Sequence, residues 1–327
     1  MIHLSLAFDM RAPDFGADPA DLYEAALDQC EWADRLGFRS VAFMEHHASS
    51  DGYLPSPIVM AAAAAARTRR MRIGVLVLAP LYDPVRLAED LAVLDNIARG
   101  RLDVTAIAGY RAEEYEQFGL DMRRRPSRME RALTVMKQAW TGEPFEFEGR
   151  RIRILPRPAQ RPRPALVLGG STRAAAERAA RLADGFRPVV PELMQDYADA
   201  LARLGKPAPA LPASGGPRYL FLHVARDPDA DWRRIAPHAL HENNDYASWL
   251  DGVPNPVYHR VDDPAELRRS GRYRIVTPEE CLELARRDGY LAFKPLIAGL
   301  DPQLAWQSLR LFEQAVLPAL RSQSISG

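Results

Sequence analysis

Short apolar runs alternate with longer segments whose apolar residues recur every three or four positions. The short runs read as buried strands and the longer segments as amphipathic helices. Residues 2–8 form the first run. Asp18-Pro19 then supplies an N-cap with proline at the first helical position, Leu22, Ala25, Ala26, Ala33 and Leu36 follow on one face, and Gly37 ends the helix. The same unit repeats. Strands are expected at 39–44, 71–78, 102–108, 165–168, 186–190, 219–225 and 290–298. Helices are expected at 58–67, between Asp83-Pro84 and Gly100, and at 127–140, 172–182, 193–204 and 231–241. A capping box opens a short helix at Thr277, and a last helix runs from Asp301-Pro302 to Leu320.

The rhythm breaks in two places. Residues 142–164, rich in proline and arginine, read as a hairpin-like excursion with an extended return. Residues 241–275 read as a lid-like region, irregular from 251 on. Eight strands in βα alternation require right-handed crossovers and a parallel sheet. They predict an α/β fold of the closed (β/α)8 TIM-barrel type, with an insertion after the fourth βα unit. The turn after the first strand, DMRAPDFGADP, lacks the GxGxxG of a dinucleotide-binding unit. One domain over 1–321 is expected, followed by a disordered tail, 322–327.

Composition narrows the function. Forty-three basic residues balance forty-three acidic ones, so neither a nucleic-acid nor a membrane surface is an expected partner. Two distant cysteines, Cys30 and Cys281, offer no disulfide framework and no cysteine metal site. With no signal-peptide pattern in MIHLSLAFDM and no long apolar run, the cytoplasm is the expected address.

A parallel barrel carries its chemistry on the loops that follow its strands. Glu45-His46-His47 occupies such a loop after the second strand. His46 is the candidate acid/base, or a donor to an anionic ring, with Glu45 setting its tautomer; His47 is read as packed and hydrogen-bonded. Adjacent histidines at a strand end point to opposite sides, so no metal is expected. Gly169-Gly170-Ser171-Thr172 joins a strand to a helix start, where close backbone approach and free N–H groups suit phosphate. A plain turn with a Ser/Thr cap explains it too. In TAIAGYRAEEYEQFG, the small residues Ala106 and Ala108 leave room for a flat ring, with Tyr110 and Arg111 beside it. Glu113 and Glu114 suit the surface of an amphipathic helix.

The EHH run, the stretch 79–104, the GYRAEEYEQFG segment and LGGSTRAAAERAARLADGF together resemble the bacterial luciferase-like family of flavin-dependent monooxygenases. The resemblance covers nearly the whole chain and is weakest over 205–275. It implies reduced FMN at the strand ends, or a deazaflavin in its place, with His46 catalytic. It implies ring contacts from 105–111 and a phosphate loop at 170–172. The luciferases carry an arginine where this chain has Ala108, so Arg111 or Arg173 would replace it as phosphate ligand. A homodimer through the helices after strands two and three is implied as well.

The expected activity is oxygenation of a small organic substrate, with reduced FMN supplied by a separate flavin reductase. Substrate walls are expected from 48–55 and 241–275, with Tyr246, Trp249, Tyr258 and His259 either as contacts or as aromatic anchors of a surface lid. The rival readings are a deazaflavin-dependent dehydrogenase or reductase, a flavin-binding barrel without catalysis, and a metal-dependent hydrolase.

Overall fold

A computed structural model describes residues 2–207, 219–252 and 257–323. Strand β1 (His3–Phe8) leads through α1 (Pro19–Leu36) to β2 (Ser40–Phe43). Then come α2 (Pro57–Arg67), β3 (Arg72–Val77), α3 (Pro84–Ile97), β4 (Leu102–Ala106), α4 (Ala112–Gln117) and α5 (Arg125–Ala139). A hairpin, β5 (Phe145–Phe147) and β6 (Arg150–Ile152), precedes β7 (Leu166–Gly170), α6 (Arg173–Leu182), β8 (Gly185–Pro188) and α7 (Leu193–Arg203). The chain continues with β9 (Phe221–Val224), α8 (Pro228–Trp249), α9 (Pro264–Arg269), β10 (Tyr273–Val276) and α10 (Pro278–Asp288). It ends with β11 (Tyr290–Phe293), α11 (Pro302–Leu311) and α12 (Leu317–Gln323).

Seven strands form one curled, all-parallel sheet in the order β11-β1-β2-β3-β4-β7-β8, as in a TIM-barrel-like fold. Parallel strands in register bring their C-terminal ends to one rim: Phe8 lies opposite Phe43, and Ala106 opposite Leu168. Beneath that rim, Leu6, Val41, Phe43, Val75, Val104, Leu166 and Leu291 are buried in the main apolar core. The helices close over the outer face. Their starts follow the capping chemistry of the sequence: Asp18, Asp83, Asp227, Asp263 and Asp301 each accept from first-turn amides, with proline next in line.

Four expectations are corrected. All eight anticipated strands exist, but β9 stands outside the seven-stranded sheet and pairs in parallel with an unanticipated strand, β10. β10 and α9 occupy part of 251–275, which reads as irregular. The reason is length: Tyr273 and Ile275 alternate inward over only four residues. Helix α8 does not end near His241 but continues to Trp249, through Pro237. Its second half faces inward with Glu242, Asp245 and Tyr246, so no apolar period marks it. At the other end of the chain, α12 carries helix to Gln323, inside the stretch expected to be disordered; residues 324–327 lie outside the described residues.

Candidate functional site

The site forms where the loops after β1, β2, β4 and β11 meet the second half of α8. Side chains in the loop after β2 alternate. Glu45 is buried, and its carboxylate accepts from His47 Nε2 at 2.8 Å, Tyr82 Oη at 2.6 Å and the Leu78 amide at 2.6 Å. Glu45 therefore serves His47, not His46, which corrects the pairing read from the sequence. His46 points the other way. Its Nδ1 donates to Glu114 Oε1 at 2.7 Å, and the same oxygen accepts from the His47 amide at 3.0 Å. Glu114 thus holds the proton on Nδ1. In the neutral ring this leaves Nε2 as the basic atom, 3.4 Å from the Tyr110 hydroxyl. Burial, then the charges of Tyr246 and Glu114, push the Tyr110 phenol well above its ordinary range, so it stays a neutral donor.

Sequence reasoning missed Glu114. Its neighbour Glu113 is 65% exposed, whereas the Glu114 side chain is fully buried. The available clue was its position four residues before Phe118 and next to Tyr115, on the apolar face of α4. Tyr115 is buried and donates its hydroxyl to the Ala108 carbonyl, which fixes the end of β4. Arg111 is buried as well. Its Nη1 donates to the His47 carbonyl at 2.7 Å and its Nη2 to that of Ala48 at 3.1 Å.

A second cluster lies beside the first. Arg11, with no exposed surface, donates Nη1 to both Asp51 and Asp245. His241 Nε2 lies 2.8 Å from the same Asp51 oxygen. Burial raises the Asp51 carboxyl, but hydrogen bonding from His241 and the Arg11 charge outweigh it and hold the group well below its usual range. Asp51, His241 and Asp245 have the spacing of metal ligands, yet the Arg11 guanidinium already places its charge between the two carboxylates. Lys294, after β11, bridges Asp9 (2.5 Å) and Glu242. Burial disfavours the ammonium, and those two carboxylates more than offset this, raising its pKa. Four rings surround His46: Tyr53 at 4.8 Å, Trp249 at 5.0 Å, Tyr110 at 5.5 Å and Tyr246 at 6.2 Å between centroids. Tyr258 stacks on Tyr246 at 4.6 Å. His259 is exposed, and Asn243 binds its carbonyl.

The remaining candidates lie further around the rim. Ala106 ends β4; Gly169 and Gly170 end β7. A Cβ on Gly169 would stand 2.6 Å from Ile107 Cγ2, and one on Gly170 2.4 Å from Ala175 Cβ. Packing alone therefore requires both glycines. Ser171 and Thr172 are exposed, and Thr172 caps α6 by accepting from the Ala175 amide. Arg173 is exposed beside them, 3.2 Å from Glu177. The structure brings Glu45, His46, Tyr110 and Arg111 together. Gly169–Thr172 stand three strands away from β2, about 14 Å along the sheet. Several buried atoms have no hydrogen-bond partner: Glu114 Oε2, Arg111 Nε, and Arg11 Nε and Nη2. Among the described residues, no helix is long and apolar enough to cross a membrane.

The family model for luciferase-like monooxygenases matches residues 6–283. The oxygenase component of a flavin-dependent trigonelline monooxygenase from Acinetobacter baylyi is 32% identical over 151 residues, 44% of this chain and 42% of that protein. This chain spans under half the length of the first curated relatives it matches. An F420-dependent glucose-6-phosphate dehydrogenase from Nakamurella multipartita is 26% identical over 98% of this chain and 97% of its own length. Among solved structures, the monooxygenase RslO1 from Streptomyces bottropensis shares the fold, with TM-score 0.76 and 24% identity over 98% of this chain and 100% of that one.

Proposed function

We propose that this chain, which belongs to the luciferase-like monooxygenase family, is the oxygenase component of a two-component flavin-dependent monooxygenase. Reduced FMN would come from a separate flavin reductase, and the substrate is a small organic molecule. The carrying observation is the buried Glu114–His46 pair, which presents Nε2 to the rim among polar atoms that lack partners. Those atoms fit an isoalloxazine edge. Arg111 Nε can donate to a ring carbonyl. Bound flavin would supply two electrons to dioxygen, one oxygen atom entering the substrate and the other leaving as water.

The protein's own part is positioning and proton handling. His46 takes up and returns a proton at Nε2, while Glu114 fixes the ring by its other nitrogen. Tyr110 donates its hydroxyl toward the same point. Ala106 and Ala108 leave space above the strand end. The aromatic side chains of α8 keep water from the site. Gly170, Ser171 and the first amides of α6 receive the phosphate. Arg173 assists them, because both Nη groups of Arg111 are engaged by carbonyls.

The same reading makes the chain a homodimer through α2 and α3. There a cleft of about 620 Å³ is lined by the exposed apolar residues Val59, Val93, Ile97 and Leu155. Two free, buried cysteines suit the reducing cytoplasm. A deazaflavin-dependent dehydrogenase is the second reading, favoured by the full-length match to the F420-dependent enzyme.

Anaerobic titration with reduced FMN and, separately, with F420 tests the choice. Micromolar binding of reduced FMN, followed by oxygen uptake on aeration, is expected. Arg173→Ala should weaken FMN several-fold and leave riboflavin, which lacks the phosphate, unchanged. Binding of F420 alone establishes the second reading; binding of neither removes both.

A further inference from the structure

Trp249 ends α8 in an unusual setting. The guanidinium carbon of Arg111 lies 4.0 Å from the centre of its indole, and that of Arg11 lies 4.5 Å away. The His46 ring is 5.0 Å distant. Both arginines are more than nine-tenths buried, and both retain N–H groups without an acceptor: Nε and Nη2 of Arg11, Nε of Arg111. An indole offers a flat π face to a cation but no acceptor atom, since its only polar group is a donor. Trp249 thus matches this seat in shape and π character and fails it in hydrogen bonding.

The charges point the same way. Asp51 and Asp245 pair with Arg11, and Asp9 lies 3.7 Å from its Nε, so its charge is already met. Arg111 has only carbonyl oxygens close by, and its nearest carboxylate, the exposed Glu113, is 4.0 Å away. A buried guanidinium without a close counter-ion favours an anion. Trp249 is also the terminal element of the set. It is the last helical residue, half-buried, one turn beyond the Asp245–Arg11 anchor and about two turns beyond the Glu242–Lys294 anchor.

Building on the functional reading above, we propose that the surface formed by Arg11, Arg111 and His46 is a seat for a planar, anionic ring with an acceptor edge, and that Trp249 is a removable plug in that seat. The shared chemistry has two sources: the ring of reduced flavin, or an aromatic carboxylate or phenolate substrate. Ligand entry swings Trp249 off the arginines, with the last turn of α8 moving and the ion-paired part of the helix staying in place.

Tryptophan emission and calorimetric binding test this on the full chain. Wild type, Trp249→Phe and Trp249→Ala are titrated with reduced FMN under anaerobic conditions and, separately, with benzoate. Thermal melts confirm that the variants are folded. The expected result is an emission change in wild type that is absent in Trp249→Phe, and at least five-fold tighter binding to Trp249→Ala, which has no plug to expel. The probe that produces this pattern identifies the source, cofactor or substrate. If reduced FMN binds with unchanged Trp249 emission and equal affinity in Trp249→Ala, and benzoate does no more, the plug is refuted and the functional reading survives. If benzoate alone expels Trp249 and FMN does not bind, the seat stands and the functional reading falls. Binding of neither probe overturns both.

Discussion

Replacing Lys294 by methionine tests the ion-paired floor of the site. Lys294 Nζ contacts Asp9 and Glu242, each 1% exposed. At 2.5 Å and an effective dielectric of about 20, the Asp9 pair alone is worth ~7 kcal/mol of gross attraction. Desolvation of the ammonium offsets much of this. Removing one partner of a buried pair costs about 3–5 kcal/mol, because the carboxylates left behind remain buried. An unfolding entropy of about 2.1 cal/mol/K per residue over 327 residues makes each kcal/mol worth about 1.5 °C. Lys294→Met should therefore melt about 5–7 °C below the wild type in circular dichroism at one fixed scan rate. The double variant Lys294→Met/Glu242→Gln removes one of the two uncompensated charges and should recover about 2 kcal/mol of that deficit. A single variant within 1 °C of wild type, or a double variant no better than the single, would refute the reasoning.

The remaining expectations concern the dyad, the glycines and acid. Glu114→Gln should lower the rate at which bound reduced FMN is reoxidised by about 10- to 100-fold and alter its pH profile, with FMN affinity unchanged and partial rescue by Glu114→Asp; unchanged kinetics would remove Glu114 as a positioning residue. Gly170→Ala should cost about 1–3 kcal/mol without any ligand, from the 2.4 Å approach to Ala175; a melt unchanged from the wild type would show that α6 gives way freely. The lowered carboxyls of Asp51, Asp34 and Asp184 contribute stability that is fully present above the unfolded carboxylate range. Stability should hold down to about pH 5 and fall as the unfolded chain takes up protons near pH 4 and below; a thermal midpoint that stays flat to pH 3 would contradict the sign.

Strand-helix alternation was legible because most elements bury an apolar face. The loop after β2 was legible because polar residues directly after an apolar run belong at a strand end. What escaped notice shares one cause: the partner that makes the residue informative is remote in sequence. Glu114 looks like one acid in AEEYEQ until its contact with His46, 68 residues away, is known. The second half of α8 looks like a polar loop because Lys294 and Arg11 cover its inner face instead of leucines. Gly169 and Gly170 were visible as a tight passage, but Ile107 and Ala175 supply a steric reason that holds with or without a phosphate.

The alternation of Glu45, His46 and His47 has one more consequence. Two interleaved carboxylate–imidazole couples stand back to back on consecutive residues, one knitting β2 to β3 and the other facing the rim. The peptide between them belongs to the rim-facing couple, its His47 N–H donating to Glu114. Reactivity can be retuned from the α4 side by altering the shape or reach of one acid, while the masonry behind it stays untouched. Deleting or inserting a single residue here would do the opposite, exchanging the two roles and wiring the working imidazole into the wall.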